Sequence, residues 1–328
     1  MSKTILLRLT GSLAVLLLTV VSCSRSPHDS DEMYYLVTAN KKVTYWQEAR
    51  AGFEEAARQL KVRAEFVGPD TYDPEAQQEE FHKIVQKKPT GILLSAADPK
   101  LMKPEIDAAA AAGINVITLD ADVPDSKRLL FIGTNNYEAG KLGGEVLAKA
   151  LGGKGNVVVF TMPGQANLRE RLNGYRSVLE AHPGIKIVEV VDIQGSPTMA
   201  FDRTKQILDK SKDEVQAFVC LEALAGKEVA EVIDRHEARG KVVVAMDADE
   251  GTLDWIERGG IVATIAQKPY SMGFNGLKML DQLYHKQAGP AGEGARAELP
   301  QFVDTGTMLV DKSNLDAFRK SLAGSAGK

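Results

Sequence analysis

Residues 241–249 read Lys-Val-Val-Val-Ala-Met-Asp-Ala-Asp, a short β-branched apolar run that stops at two carboxylates. Such a run is typical of a buried strand in a parallel sheet. Residues 115–122 repeat the pattern earlier in the chain, as Asn-Val-Ile-Thr-Leu-Asp-Ala-Asp. The corresponding acids, Asp120 and Asp247, are 127 residues apart. We therefore predict two equivalent strands, each ending at an aspartate.

A second pair of strand ends recurs at the same spacing. Glu222 follows one short apolar run, and Ser95, 127 residues earlier, follows another. A long internal repeat explains both pairs, so the chain is predicted to hold two copies of one α/β unit. Ligands of open α/β sheets bind at the carboxyl ends of the strands, and two such sheets facing each other would direct Asp120, Glu222 and Asp247 into one cleft. The alternative is that these acids cap the helices that follow them.

The composition limits the class of protein. A chain of 328 residues suits two domains, each able to bury its own core. The hydrophobic fraction of 44% and the charged fraction of 26% are those of an ordinary globular protein. A formal net charge of −4 gives no basic surface, so we expect no nucleic-acid partner.

The N-terminal segment is typical of an exported protein. Lys3 and Arg8 precede an apolar run over 13–21, which is too short to span a bilayer comfortably. The run ends in Val20-Val21-Ser22-Cys23, which resembles a bacterial lipobox. We predict a lipoprotein signal peptide over 1–22 and a lipid on Cys23. A plain secretory signal and an uncleaved anchor are the alternatives.

The rest of the chain alternates strand and helix patterns after a short tether. Residues 23–32 are almost entirely polar and are predicted to be the tether. Strands are predicted near 34–39, 62–67, 91–95, 115–119, 156–161, 186–192, 216–220, 241–246, 261–266 and 305–310. Helices are predicted near 45–60, 74–87, 99–112, 136–151, 166–181, 198–211, 223–238, 250–258, 271–285 and 313–322, with a surface loop over 288–297. This order favours parallel, doubly wound sheets with right-handed crossovers.

The sequence lacks the common catalytic and metal-binding motifs. It contains no phosphate-binding loop, no Gly-x-Ser-x-Gly nucleophile elbow and no His-Glu-x-x-His zinc motif. Its five histidines are scattered along the chain, and no ligand set at zinc spacing is recognised. We therefore expect no enzymatic activity, no cofactor and no metal.

The strand ends offer recognition chemistry instead. Asp120 and Asp247 supply acceptors, each able to take hydrogen bonds from two hydroxyl groups. Arg171, at the start of a helix, supplies a rigid fork of donors. Gln267, just after the strand 261–266, supplies one donor group and one acceptor.

Aromatic side chains complete this set. Tyr45, Trp46 and Phe201 supply flat faces near the predicted strand ends. Tyr45 and Trp46 are adjacent and cannot share one helix face, so at least one is expected to face the cleft. A polyol with an apolar ring face is typically bound by such a set: carboxylates, a guanidinium and an amide for its hydroxyl groups, and aromatic rings for its apolar face.

Four segments give the chain a resemblance to a known family. They read Val-Ile-Thr-Leu-Asp over 116–120, Arg-Glu-Arg over 169–171 with Gly174-Tyr175 after it, Phe-Asp-Arg over 201–203, and Val-Ala-Thr-Ile-Ala-Gln over 262–267. Through them, and over about 33–320, the chain resembles the periplasmic sugar-binding proteins of the ribose/galactose type, which are the substrate receptors of ABC importers.

The resemblance implies the type I periplasmic binding protein fold. In that fold two doubly wound, parallel-sheet (Rossmann-like) α/β domains are joined by a three-crossover hinge, which closes on the ligand. The implied boundaries are 33–134 plus 268–298 for the N-terminal domain, 135–267 plus 299–328 for the C-terminal domain, and 133–136, 266–269 and 297–303 for the crossovers.

The resemblance also implies which residues contact the ligand. The expected ligand-binding residues, with Asn167 and Glu222 taken from matching positions, are Tyr45, Trp46, Asp120, Asn167, Arg171, Phe201, Glu222, Asp247 and Gln267.

The chain departs from the family's pattern at several of these places. Ala121 stands where ribose receptors carry Arg, and Ser95-Ala96 offers small residues where they carry Asn. Glu222 stands where Asn is usual, and Asn167 where glucose/galactose receptors place Asp. The pocket is therefore expected to be roomier on one side and more acidic on the other. A larger sugar, a polyol and a ligand with a positive group all stay open.

The function expected from these features is that of a lipid-anchored, monomeric solute receptor. It would bind a small sugar or polyol, deliver it to an ABC importer permease, and be held at the membrane through Cys23. One alternative is a sensory receptor that signals to a kinase or chemoreceptor. Another is a periplasmic sugar enzyme with Asp120 and Asp247 as its acid–base pair, but Arg171 nearby is expected to keep carboxylate pKa values low. A third alternative, a sugar-sensing repressor, is not favoured, because it would need a basic helix-turn-helix ahead of the domain, where this sequence has the lipobox segment.

Overall fold

A computed structural model describes residues 28–29, 31–287 and 299–326. The predicted signal peptide, the first part of the predicted tether and the predicted loop over 288–297 lie outside the described residues. Within the described part of the chain, no helix is both long enough and apolar enough to cross a membrane.

The first of two sheets contains six parallel strands. Its strands are β1 (Met33–Val37), β2 (Arg63–Val67), β3 (Gly91–Leu94), β4 (Asn115–Leu119), β5 (Phe131–Gly133) and β11 (Phe302–Asp304), in the order β11-β5-β4-β3-β1-β2. The helices between and beside them are α1 (Thr44–Leu60), α2 (Pro74–Gln86), α3 (Pro99–Ala111) and α9 (Pro269–Gln287). Strands β3 and β4 are buried along their whole length, as expected for a sheet covered on both faces.

The second sheet also contains six strands, with one antiparallel edge. Its strands are β6 (Lys154–Thr161), β7 (Gly184–Asp192), β8 (Ala217–Cys220), β9 (Val242–Met246), β10 (Ala263–Ala266) and β12 (Met308–Asp311), in the order β12-β10-β9-β8-β6-β7. Its helices are α4 (Asn136–Leu151), α5 (Ala166–Leu179), α6 (Pro197–Ser211), α7 (Gly226–Arg235), α8 (Glu250–Arg258) and α10 (Leu315–Ala326).

The two sheets repeat one strand order, which confirms the internal repeat. Strand β4 in the first sheet and β9 in the second occupy the same position, and so do β3 and β8. Asp120 and Asp247 follow β4 and β9 directly, and both have left-handed backbone conformations, with φ of 62° and 67°. The two-domain α/β fold expected from the sequence is therefore present, with equivalent strand ends in each half.

The chain passes between the two sheets three times. It leaves the first sheet after β5, returns after β10, and leaves again after β11. The last passage corrects the sequence analysis, which placed 299–328 in the C-terminal domain and the crossover near 297–303. Residues 302–304 pair with β5 in the first sheet, so this crossover lies at 305–307.

Most predicted elements agree with the structure to within a few residues, and the bounds of β4, α4 and α8 are the same. The short strands β5 and β11 were not predicted, because three-residue strands are too short to show a period. The helix predicted over 223–238 is shorter, because residues 223–225 form a turn before α7.

Each sheet carries a pair of helices in backbone contact. Helix α4 packs against α5, and α1 packs against α9. A side chain at Gly140 of α4 would overlap with the carbonyl of Arg171 in α5, and one at Gly273 of α9 would overlap with the carbonyl of Ala49 in α1. Helices α4 and α9 are the helices that follow the first two crossovers, while α5 and α1 begin near the strand ends that face the cleft.

We predict that Gly140→Ala lowers the free energy of unfolding by roughly 1–3 kcal/mol, because the added methyl group forces α4 away from α5. Urea unfolding followed by circular dichroism measures the effect. Gly164→Ala is the matched control, since nothing lies within 4 Å of a Cβ at that position. Equal stability of the two variants would contradict the backbone contact.

Candidate ligand-binding cleft

The paired aspartates do not cap helices. The carboxylate that caps α8 belongs to Asp249, which accepts from the backbone N–H of Thr252. Asp120 and Asp247 are each 7% exposed and bond to side chains at the sheet edge. For these two acids the capping alternative is wrong, and the residues are available to a ligand in the cleft.

Asp120 joins the first domain to the second. Its Oδ1 accepts from the Tyr45 hydroxyl at 2.8 Å, and its Oδ2 accepts from Asn167 Nδ2 at 3.5 Å. Tyr45 lies on α1 of the first domain, whereas Asn167 lies on α5 of the second. The ring of Trp46 packs edge-on against Tyr45, with 4.8 Å between ring centroids.

Asp247 is bonded to the crossovers. Its Oδ1 accepts from Gln267 Nε2 at 2.9 Å, and Gln267 Oε1 accepts from the Thr134 hydroxyl at 2.7 Å. Thr134 follows β5 and Gln267 follows β10, so the bond between them links the first two crossovers. The carbonyl of Asp247 accepts from the Thr264 hydroxyl at 2.6 Å.

Arg171 is the central cation of the site and is 2% exposed. Its guanidinium donates to the carbonyl of Leu221, just after β8, and to Asn136 Oδ1 at 2.5 Å. Its Nε is buried and has no hydrogen-bond partner in the described part of the chain. Because a buried charged donor without a partner is costly, this N–H is a strong site for an acceptor from a ligand.

Glu222 bonds to the turn ahead of α7 and does not cap the helix itself, whose N-cap residue Ala225 has no side-chain cap. Its two carboxylate oxygens accept from the backbone N–H groups of Leu224 at 2.6 Å and Ala225 at 3.0 Å. These bonds hold the turn that leads into α7. Glu222 lies in the cleft wall, and its acceptors are already partly used.

Burial controls the protonation of the cleft acids. It raises the pKa of Asp247 to about 7, although Arg171 and the bond from Gln267 lower it. Burial also raises the pKa of Glu222 to about 7, against the backbone bonds from Leu224 and Ala225. The pKa of Asp120 is raised by burial too, opposed by Tyr45 and Arg171. The expectation that Arg171 keeps these pKa values low is wrong, because desolvation outweighs its attraction.

These side chains surround an inner cavity of about 80 Å³. Eight of the nine predicted ligand-binding residues line it, namely Tyr45, Trp46, Asp120, Asn167, Arg171, Glu222, Asp247 and Gln267. An outer cavity of about 590 Å³ adjoins it at the mouth of the cleft and shares Tyr45, Asp247 and Gln267 with it. Lys227, Asp249 and Glu48 line only the outer cavity.

Phe201 is the ninth residue, and the structure places it elsewhere. It lines neither cavity, packs against the core of the second domain, and lies beneath the guanidinium of Arg235 at 5.6 Å from the ring centroid. Pro197, at the start of α6, does line the outer cavity. Phe201 is one helical turn further along α6, which moves it about 6 Å away from the cleft.

Several residues of the cleft were missed by the sequence analysis. Asn136 accepts from Arg171, and Thr134 bonds to Gln267. The Tyr72 hydroxyl donates to the carbonyl of Ala97 at 2.9 Å and accepts from Gln165 Nε2 of the other domain at 3.2 Å. A signal for Tyr72 existed, because it lies in the loop after β2, at the same sheet edge as Asp120.

Two α/β domains, three crossovers and a polar, partly aromatic cavity between the sheets define a protein that encloses a small ligand. The chain belongs to the periplasmic binding protein family, since the model of the periplasmic binding protein domain matches residues 34–288.

Known proteins resemble the chain over most of its length. A sugar ABC transporter sugar-binding protein from Bacillus halodurans is 35% identical, with a TM-score of 0.77 and coverage of 88% of this chain and 100% of that one. The D-allose-binding periplasmic protein of Escherichia coli K12 is 25% identical over 75% of this chain and 83% of its own length. The XylFII–LytSN complex contains a chain 26% identical, with a TM-score of 0.78 and coverage of 87% and 99%.

We predict that Asp247→Asn stabilises the ligand-free protein more at about pH 8 than at about pH 5. With a folded pKa of about 7 against 3.8 unfolded, the folded state holds more protons in this range, so its stability falls as pH rises. Asn cannot ionise, so the substitution removes this fall in the free energy of unfolding, which is on the order of 1–4 kcal/mol. The Asn side-chain oxygen can still accept the hydrogen bond from Gln267.

Thermal unfolding across this pH range measures the difference. Asp125→Asn, at an exposed position, is the control and should show no such dependence. A constant difference between Asp247→Asn and the unmodified protein would contradict a raised pKa.

Proposed function

We propose that the protein is a receptor that binds a small sugar or polyol in the inner cavity. The observation that carries the proposal is the chemistry of the lining: buried carboxylates as acceptors, a buried guanidinium with an unbonded Nε, and two aromatic rings. A vicinal polyol supplies hydroxyl donors for Asp120 and Asp247 and an acceptor oxygen for Arg171. Its apolar ring face suits Trp46, which is partly exposed.

Ligand binding would be coupled to movement of the domains. The inner cavity is small, and its polar groups bond to one another across the cleft, as Asn167 does to Asp120. The contact of Tyr72 with Gln165 is a second hydrogen bond across the cleft. Opening at the three crossovers admits the ligand, whose hydroxyl groups then replace some of these bonds on closure.

The relatives support delivery to an importer. The structure from Bacillus halodurans is described as part of a sugar ABC transporter, and the Escherichia coli relative as a periplasmic D-allose-binding protein. We infer that this chain passes its ligand, as a monomer, to the permease of an ABC importer. Val20-Val21-Ser22-Cys23 supports export as a lipoprotein anchored through Cys23.

The test is a calorimetric screen of pentoses, hexoses, polyols and amino sugars. It uses the protein purified from cells in its processed form. Asp247→Asn and Arg171→Met should each weaken binding of any hit by about 10- to 100-fold, because each removes a charge-assisted hydrogen bond. Phe201→Leu is the matched control and should leave affinity unchanged, since Phe201 lines neither cavity.

Each alternative outcome is informative. A flat screen with folded protein would reject a small sugar or polyol as the ligand. Loss of binding in Phe201→Leu would contradict the placement of the ligand in the inner cavity. Recovery of chemically altered ligand would support the periplasmic sugar enzyme, with Asp120 and Asp247 as its acids.

We further predict that the affinity for a neutral sugar rises between about pH 5.5 and pH 8. Asp247 accepts best when ionised, and burial holds its pKa near 7 in the free protein, so binding at low pH must first displace a proton. Calorimetry in buffers of different ionisation enthalpy measures both the affinity and the protons released. In Asp247→Asn the dependence should be smaller, and an equal dependence would assign it to another group.

A second candidate function is sensing. It is favoured by one observation, the presence of a similar chain in the XylFII–LytSN complex. The cavity would bind the same ligand, but the closed protein would contact a signalling partner instead of a permease. Deletion of the gene separates the two roles: loss of uptake of the labelled ligand indicates transport, and intact uptake with a lost transcriptional response indicates sensing.

A further inference from the structure

A cluster of four side chains lies away from the cleft, on the outer side of the first domain. His28 and Glu32 precede β1, and Asp281 and His285 lie one turn apart near the end of α9. Each residue presents one atom able to ligate a metal, and these four atoms all lie within 4.8 Å of one another. The cluster therefore joins the start of the domain to a helix that packs against α1 and the first sheet.

We propose that His28, Glu32, Asp281 and His285 form a structural zinc site. Two imidazoles and two carboxylates are common zinc ligands, and the ion needs four of them at about 2.0–2.2 Å. Donor atoms around such a centre are then about 3.3–3.6 Å apart.

Three of the six separations between the donor atoms are 2.9–3.5 Å, and none exceeds 4.8 Å. His285 Nε2 lies 3.3 Å from Glu32 Oε2 and 3.5 Å from Asp281 Oδ1, and His28 Nε2 lies 2.9 Å from Asp281 Oδ1. The imidazole rings of His28 and His285 are nearly perpendicular, with centroids 4.9 Å apart, so each can direct one nitrogen to a common point. Small movements of the side chains are enough to admit the ion.

The charges of the cluster also favour a dication. Glu32 and Asp281 are 4% and 5% exposed, and their only ion pairs in the described part of the chain are with the two histidines. Two carboxyl groups buried side by side are costly unless a positive charge or hydrogen bonds balance them. Zn²⁺ binds neutral imidazoles and ionised carboxylates, and its charge of +2 balances the two acids.

Two hydrogen bonds support the ligands from outside. Tyr34 donates through its hydroxyl to Asp281 Oδ1 at 3.3 Å, and the backbone N–H of Asp29 donates to Glu32 Oε1 at 2.9 Å. Such bonds fix the orientation of ligating carboxylates. The Asp29 N–H holds Glu32 Oε1, while Oε2, which faces His285, stays available to the metal.

Calcium and magnesium fit the cluster less well. Both prefer shells of six or more oxygen ligands, whereas two of the four donors here are imidazole nitrogens. The proposal therefore names zinc, with Mg²⁺ and Ca²⁺ as negative controls. It is independent of the ligand in the cleft, because none of the four residues lines either cleft cavity.

The experiment uses the protein purified from cells in its processed form, without a histidine tag. A chelator first removes any bound metal. Titration with ZnCl₂ should show one ion per chain and a rise in Tm, because the ion binds the folded state. Replacement of zinc by Co²⁺ should give the visible absorption of a tetrahedral centre. His28→Ala and His285→Ala should each weaken zinc binding by about 100-fold.

His82→Ala is the matched control, because His82 is an exposed histidine paired with one carboxylate, that of Glu105. It should bind zinc as the unmodified protein does. Absence of a one-to-one site, or binding that survives both variants, would overturn the proposal. An unchanged Tm with zinc would also overturn it, and the four residues would then form only histidine–carboxylate pairs.

Discussion

One buried cation among three buried carboxylates is the constraint on which the cleft depends. Arg171 is held by the carbonyl of Leu221, just after β8, and by Asn136 at the start of α4, so its position follows from the second sheet and the first crossover. Its charge lowers the pKa of Asp120, Asp247 and Glu222, but burial raises each of them more. Burial therefore outweighs the attraction of Arg171 at all three acids, and the hydroxyl groups of the proposed sugar or polyol would give these carboxylates further hydrogen-bond partners.

The features that could be predicted from the sequence are those written in short local patterns. A strand buried on both faces appears as an uninterrupted apolar run, and a polar residue marks its end. Asp120 and Asp247 were found in this way, and their common spacing predicted that β4 and β9 are equivalent. The strand ends in turn predicted the cleft, because ligands of such sheets bind there.

The features that were missed depend on contacts between distant residues or on burial. Glu222 has the same local pattern as Asp247, yet its oxygens cap a turn. Strand β11 is three residues long and is defined by its partner β5. The raised pKa of Asp247 requires knowledge of its surroundings, which no spacing gives. Glu32 and His285, two of the proposed zinc ligands, are 253 residues apart, so a search for local zinc motifs passes over them.

The contact of α4 with α5 at Gly140, and of α9 with α1 at Gly273, has a consequence for protein engineering. No side chain separates these helix backbones, so the walls of the cleft behave as fixed supports for the residues they carry. A redesign of the inner cavity, for example for a fluorescent biosensor, can vary the strand-end residues Ser95, Ala96 and Glu222, which line it. The two glycines are the positions that such a library should leave unchanged.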